Sequence, residues 1–204
     1  TVPLVAVVNA SLPVKSIADL VALSKAKPGS LSYGSAGSGS PQHLAVEMFK
    51  AATGADLTHI PYKGSAPAMN DLLGDQTQLG FGDFPPPLGH VQSGRLRALG
   101  VTSAKRQPAL PEVATIAESK AAGTKDFQAV AWQSLVAPAG TPADLVAKYA
   151  AALEKVMKQP AIQERLASEG VETATMQPQQ LAAYIKSETA RWGAVVKASG
   201  AALD

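Results

Sequence analysis

Short apolar runs alternate along this chain with longer segments whose apolar residues recur every three or four positions, and glycine, proline or serine marks most junctions. The runs read as buried strands and the longer segments as amphipathic helices. Val2 to Val8 is the first strand. Ser16-Ile-Ala-Asp19 then has the form of a capping box, and Ile17, Leu20, Val21 and Leu23 give the next helix one apolar face, closed by Pro28-Gly29. Leu31 to Tyr33 predicts a strand, a loop of small residues follows, and Leu44, Ala45, Met48, Phe49 and Ala52 line one face of a helix before Gly54. The unit recurs twice. Leu57 to Pro61 is a strand, Tyr62 to Ser65 a loop, and Ala66 to Leu73 a helix ended by Gly74; Gln78 to Phe81, the loop 82–87 and a short helix stopping at Gly94 lead to the strand Leu96 to Val101. Such alternation predicts an α/β domain with a mainly parallel sheet and right-handed crossovers.

Three loops then lie at strand carboxyl ends, where open parallel sheets place their ligand crevice, so all three are expected at one site. Residues 102–126 are polar and broken by prolines, and Phe127 to Val136 is a further extended run ending at Pro138-Ala-Gly-Thr-Pro142. Helices follow at Ala143 to Met157, Ala161 to Ser168 and Pro178 to about Lys197, with Val171 to Thr175 the one possible strand among them. Leu145, Val146, Tyr149, Leu153 and Val156 form an apolar stripe on the first of these. A tail of helices needs a sheet to cover it, which predicts reduced stability or pairing with a second copy. The chain opens on Thr1 with a strand at once, and a processed or truncated chain is expected.

Composition narrows the function classes. A chain of 204 residues, 46% hydrophobic, can bury a sizeable core. Its 18 basic and 16 acidic side chains are scattered and leave a net charge of only +2, which argues against nucleic acid as a partner. No apolar run approaches the ~20 residues needed to cross a bilayer. The absence of cysteine removes disulfides, thiolate catalysis and thiolate-held metals.

The loop Tyr33-Gly-Ser-Ala-Gly-Ser-Gly-Ser40 leads into Pro41-Gln-His43. Ser40 suits an N-cap and Pro41 the first helical position, so free N–H groups and the positive end of the helix dipole point back at the loop. A carboxylate or phosphate would sit well there. Neither a P-loop, nor Gly-x-Gly-x-x-Gly, nor Gly-x-Ser-x-Gly is present, so nucleotide binding and a nucleophile elbow are disfavoured. His43 falls one turn into the helix, facing the site or capping a neighbour. His59 and His90 have no metal-ligand spacing with it, and no metal or other cofactor is expected. Lys63 stands in the second loop, able to complement a carboxylate or simply to be solvated. Asp83 is the only acid of the third loop, placed to receive a ligand amino group or hydroxyl, or to stabilise its own turn. Trp132 lies on an extended run between the two parts of the chain and earns attention for that place alone.

Taken together, the run 33–45, Pro61-Tyr-Lys-Gly-Ser-Ala-Pro67, Asp71-Leu-Leu-Gly74, Gly94-Arg-Leu-Arg-Ala-Leu-Gly-Val-Thr-Ser103 and Ala137-Pro-Ala-Gly-Thr-Pro142 closely resemble the Bug family, over essentially the whole chain. These are TctC-like receptors of tripartite tricarboxylate transporters. The resemblance implies a periplasmic binding protein of type II, with two α/β lobes and a carboxylate ligand in the cleft. It implies one complete lobe at 4–128, with crossover strands at its ends, and the returning C-terminal helices of the other lobe at 129–204, whose N-terminal part is absent. By position Ser35, Ala36, Gly37, Ser38, Gly39 and Ser40 match the family's carboxylate-binding loop, where amides, hydroxyls and water do most of the holding. Tyr62, Lys63 and Gly64 match its second loop. Phe81-Gly-Asp83 stands where the family usually carries Phe-Asp-Asn, displacing the acid by one residue. Trp132 matches the family's aromatic, though Gln133-Ser134 replaces the usual aromatic-glycine pair.

The expected function is therefore capture of a small organic carboxylate, without turnover, for delivery to membrane transporter subunits. Two rivals compete with it: a carboxylate-sensing interaction module, and an α/β hydrolase or transferase using His43, Asp83 and a loop serine. No catalytic spacing favours the enzyme.

Overall fold

The computed structural model describes residues 1–84 and 86–201. Its elements are β1 (Val2–Asn9), α1 (Ile17–Ala26), β2 (Ser32–Ser35), α2 (Pro41–Thr53), β3 (Thr58–Pro61), α3 (Ser65–Leu73), β4 (Leu79–Asp83), α4 (Pro86–Gln92), β5 (Leu96–Val101), β6 (Val130–Ala131), α5 (Ala143–Met157), α6 (Pro160–Ser168) and α7 (Pro178–Ser199). The strands lie in the order β3-β2-β4-β1-β5, with β6 added to the start of β1.

The sheet departs from a purely parallel one at its centre. β2 runs parallel to β3 and β4, whereas β1 sits between β4 and β5 and is antiparallel to both. Pairing direction is decided by contacts remote in sequence, so an apolar run such as Val2 to Val8 carries no record of it. β1 is a buried strand with two faces. Leu4, Ala6 and Val8 enter the core beneath α1 and α2, while Val5 and Val7 enter a second core with Leu72, Phe84 and Leu96. The sheet is thus covered on both sides.

Caps fix the helices as the local sequence dictates. Ser16 accepts a hydrogen bond from the Asp19 amide at 3.1 Å, and Asp19 reaches back to the Lys15 amide at 3.0 Å. α2 begins on Ser40 and Pro41 and ends on Gly54, whose φ of 68° is left-handed. Its buried face is Gln42, His43, Ala45, Val46, Phe49 and Thr53, so Leu44 and Ala52 lie off it and Met48 packs against the core only in part. The predicted stripe is turned by about one residue, because two polar side chains, Gln42 and His43, take inward positions.

Further corrections concern the second half. Of the extended run 127–136 only Val130–Ala131 is paired, on Val2 and Pro3, and Leu135 and Val136 are 74% and 82% exposed. Val171 to Thr175 is not a strand. The tail is held at its end: Trp192 packs against the α1–α2 core and donates to Glu188 at 2.8 Å, and Arg191 donates to the Gln128 carbonyl. α5 has no buried residue, and Leu145, Tyr149, Leu153 and Val156 are exposed along it. No described helix is long and apolar enough to cross a membrane.

Candidate functional site

β2 and β4 pair only at Tyr33–Leu79 and Gly34–Gly80. Past those residues a cavity of about 460 Å³ opens, lined by Ser35 and Ala36 at the end of β2, by Gln42 of α2, by Ser65 and Ala66 of α3, and by Gly82, Asp83 and Phe84 at the end of β4. The carboxyl ends of β2 and β4 and the first turns of α2 and α3 therefore meet at one crevice, whereas residues 62–64 of the expected second loop do not line it. Pro85 of the third loop lies outside the described residues. The floor is apolar, with Val7, Ala68, Met69 and Leu72, and its volume is ordinary for a small-molecule site. Glycine makes room on the sheet face: a Cβ on Gly34 would stand 3.1 Å from the Tyr62 ring and 3.2 Å from the Ala68 Cβ.

The first loop is pre-set by its own hydrogen bonds. Ser35 Oγ accepts from the Gly37 amide at 3.2 Å, Gly39 donates to His43 Nδ1 at 3.1 Å, and Ser40 donates its amide to the Gly37 carbonyl at 3.2 Å. Gly37, at φ 125°, adopts a conformation that side chains strain against. Ser40 caps α2 by accepting from the His43 amide at 3.3 Å. The amides of Ser38 and Gln42 take no partner among the described residues. Of the two, Gln42 is in the first turn of α2 and borders the large cavity, so its N–H is left for a ligand there, whereas Ser38 lies outside it.

His43 and Tyr62 work as supports. His43 is buried and stacks on His59 with centroids 3.8 Å apart and rings 6° from parallel, and its Nδ1 is occupied by Gly39. Burial lowers its pKa, with Glu47 opposing. Tyr62 donates its phenol to Asp71 at 2.6 Å, and its amide to Ser35 at 3.1 Å ties the second loop to the first. Desolvation first, then Asp71, pushes that phenol up to about 12. Lys63 is exposed. None of His43, Tyr62 and Lys63 lines the cavity.

The other predicted residues divide between two depressions. Ser35, Ala36 and Asp83 line the large cavity, whereas Gly39 and Trp132 border a smaller one, of about 190 Å³, with Pro41, Leu44 and Trp192. Gly37, Ser38 and Ser40 line neither. Trp132 meets the Tyr184 ring edge-on at 5.7 Å. Asp83 ends β4 instead of standing in a loop. It accepts from Gln42 Nε2 at 2.5 Å, and burial raises its pKa against the effect of that bond. Gln42, only 6% exposed, also contacts Ser65 Oγ at 3.3 Å, and its Oε1 has no partner among the described residues. Sequence reasoning missed Gln42, since a glutamine at the second position of a helix carries no signature. Among the described residues no group of His, Asp and Glu side chains is placed to hold a metal ion.

The geometry has a counterpart among known proteins. The sequence model of the tripartite tricarboxylate transporter family receptor matches residues 1–201. The chain belongs to that family. BugT of Bordetella pertussis is 37% identical over 99% of this chain and 61% of its own length. R. palustris Rpa4515, solved with adipate, is 35% identical with a TM-score of 0.87, covering 98% of this chain and 66% of that one. The periplasmic binding protein BugD is 36% identical with a TM-score of 0.83, over 98% of this chain and 67% of that one. The chain spans 61% of the length of BugT and 56% of that of another curated relative, from a Pseudomonas strain. The mixed sheet agrees with the fold expected of a TctC-like receptor.

Proposed function

We propose that this receptor captures a small organic carboxylate in the periplasm and presents it to membrane transporter subunits without altering it. The observation that carries the reading is the free Gln42 amide in the first turn of α2, beside a crevice formed by the ends of β2 and β4 and the start of α3. Such donors hold an anion without a counter-charge that would have to be desolvated. Relatives named as a periplasmic binding protein and as a protein with bound adipate support both the compartment and the ligand class. Residues 4–128 act as one lobe and 129–204 as the returning part of a second; a strand entering antiparallel at the sheet centre is consistent with a chain crossing over from elsewhere.

Turnover is unsupported by the side chains at hand. Ser35 Oγ does lie 2.7 Å from His59 Nε2, but burial, with the neighbouring His43 next, holds that imidazole down to about 4, too weak for a general base near neutrality. Isothermal titration of the complete protein against a panel of mono- and dicarboxylates is expected to give at least one micromolar ligand, recovered chemically unchanged. Silence across the panel overturns the proposal.

A further inference from the structure

We infer that the wall formed by Asp83 and Gln42 selects, among carboxylates, those that carry a hydrogen-bond donor, a hydroxyl or an ammonium, near the bound carboxyl group. The inference rests on the carboxylate reading above and sharpens it. The crevice presents two opposite chemistries. At the start of α2 the unpaired group is a donor, the Gln42 backbone N–H, suited to an anion. Across the crevice they are acceptors: one Asp83 oxygen takes the Gln42 amide at 2.5 Å, which leaves the second carboxylate oxygen over, and the buried Gln42 Oε1 is unpartnered among the described residues.

Asp83 also lacks a cation. No described lysine, arginine or histidine lies within ion-pair distance of it, and Lys63, the one base of the neighbouring loop, does not line the cavity. A half-buried carboxylate with a single neutral donor is a costly arrangement in an empty site, and a second carboxylate beside it would be repelled. Both problems are relieved by a ligand whose carboxyl group lies at the helix and whose donor lies at Asp83. Gln42 joins the two, its backbone amide in the donor set and its side chain in the acceptor wall. A plain alkyl dicarboxylate would leave the wall unsatisfied, and a buried acceptor left without a donor discriminates more sharply than a missing methylene.

Succinate, malate and aspartate differ only in bearing hydrogen, hydroxyl or ammonium at one carbon, and adipate and α-aminoadipate repeat the comparison at greater length. Titration of the complete protein should show donor-bearing ligands binding roughly tenfold or more tightly than their plain counterparts. Asp83→Ala should bring that ratio below about threefold, with the plain dicarboxylates binding at least as tightly as before because the repulsion and the unsatisfied acceptor are both removed. Asp83→Asn keeps an oxygen for Gln42 Nε2 and turns the second position into an uncharged N–H donor, to which a hydroxyl can still bond and an ammonium cannot, so it should retain the preference for hydroxyl and lose that for ammonium. If Asp83→Ala fails to fold, judged by circular dichroism, the Asp83→Asn result decides. Equal binding of plain and donor-bearing ligands, or a preference that survives both substitutions, overturns this inference and leaves the carboxylate receptor standing. Binding of none of the five ligands, nor of any other carboxylate, overturns both.

Discussion

His43 and His59 lie face to face in the layer behind the first loop, with Tyr33 against His59 at 4.9 Å. Glu47 and Lys50, both on α2, are the charged groups beside them; Glu47 accepts from the Tyr33 phenol and from Lys50 Nζ, each at 2.7 Å. Burial first, then repulsion from His43, brings the His59 pKa from 6.5 to about 4, and Glu47 only partly offsets this. The unfolded chain therefore binds more protons than the folded one between those values. Stability is complete above about pH 6.5 and falls as the pH drops toward 4. After discounting for solvent screening the loss should be on the order of 1 kcal/mol between pH 7.5 and 5, read by urea denaturation, and His59→Gln should flatten the curve. A stability that rises on acidification would contradict this. Gly34 makes a second test at the same scale. Its neighbours are a tyrosine ring fixed by Asp71 and the buried Ala68, neither free to retreat, so Gly34→Ala should destabilise by about 1–3 kcal/mol in thermal melts.

Ser40 sets both the stability of α2 and the direction of its free amides. Removing the cap by Ser40→Ala should cost about 1 kcal/mol and weaken carboxylate binding several-fold. Ser40→Asp separates the two effects. Aspartate caps as well as serine, so melting should hold, while a negative charge at the anion site should weaken binding far more than the alanine does. Equal binding by the two variants would place the ligand elsewhere. Elements of this kind were legible because their ends are written locally: Ser16 with Asp19, Ser40 with Pro41, Gly54 and Gly74 mark helices to within a residue or two. α5 shows the same, with bounds at Ala143 and Met157 as its periodicity predicts. What pairing decides was not legible. β1 gives no sign of its antiparallel neighbours, and the run 127–136 contributes only two residues to the sheet because only Val2 and Pro3 at the start of β1 remain for it to pair with. The site divides in the same way. The ends of β2 and β4 at the crevice follow from the strand runs, but the second loop, at 62–64, stays outside it, the role of His43 depends on the register that sets Tyr33 beside His59, and Gln42 emerges only when Asp83 is brought across from β4.

For the molecule as a whole, order should follow burial and not helical content. β1 is buried over seven of its eight residues, between β4 and β5 and beneath helices on both faces, so its amides can exchange only through large openings. α7 is tied to this body through Trp192 and through Arg191 at the Gln128 carbonyl. α5 has no such tie. It is a helix of 15 residues with no buried side chain, its Tyr149 is 64% exposed, and an isolated helix of that length is marginal in water. Hydrogen exchange on this chain, followed by mass spectrometry, should show α5 exchanging roughly a hundredfold or more faster than β1, with α7 between them. Trp192→Ala should raise exchange in α7 toward the α5 level and leave β1, β4 and β5 unchanged. Protection of α5 equal to that of β1 would mean that its apolar stripe is covered in solution, and sedimentation of the same sample would then show whether a second copy covers it.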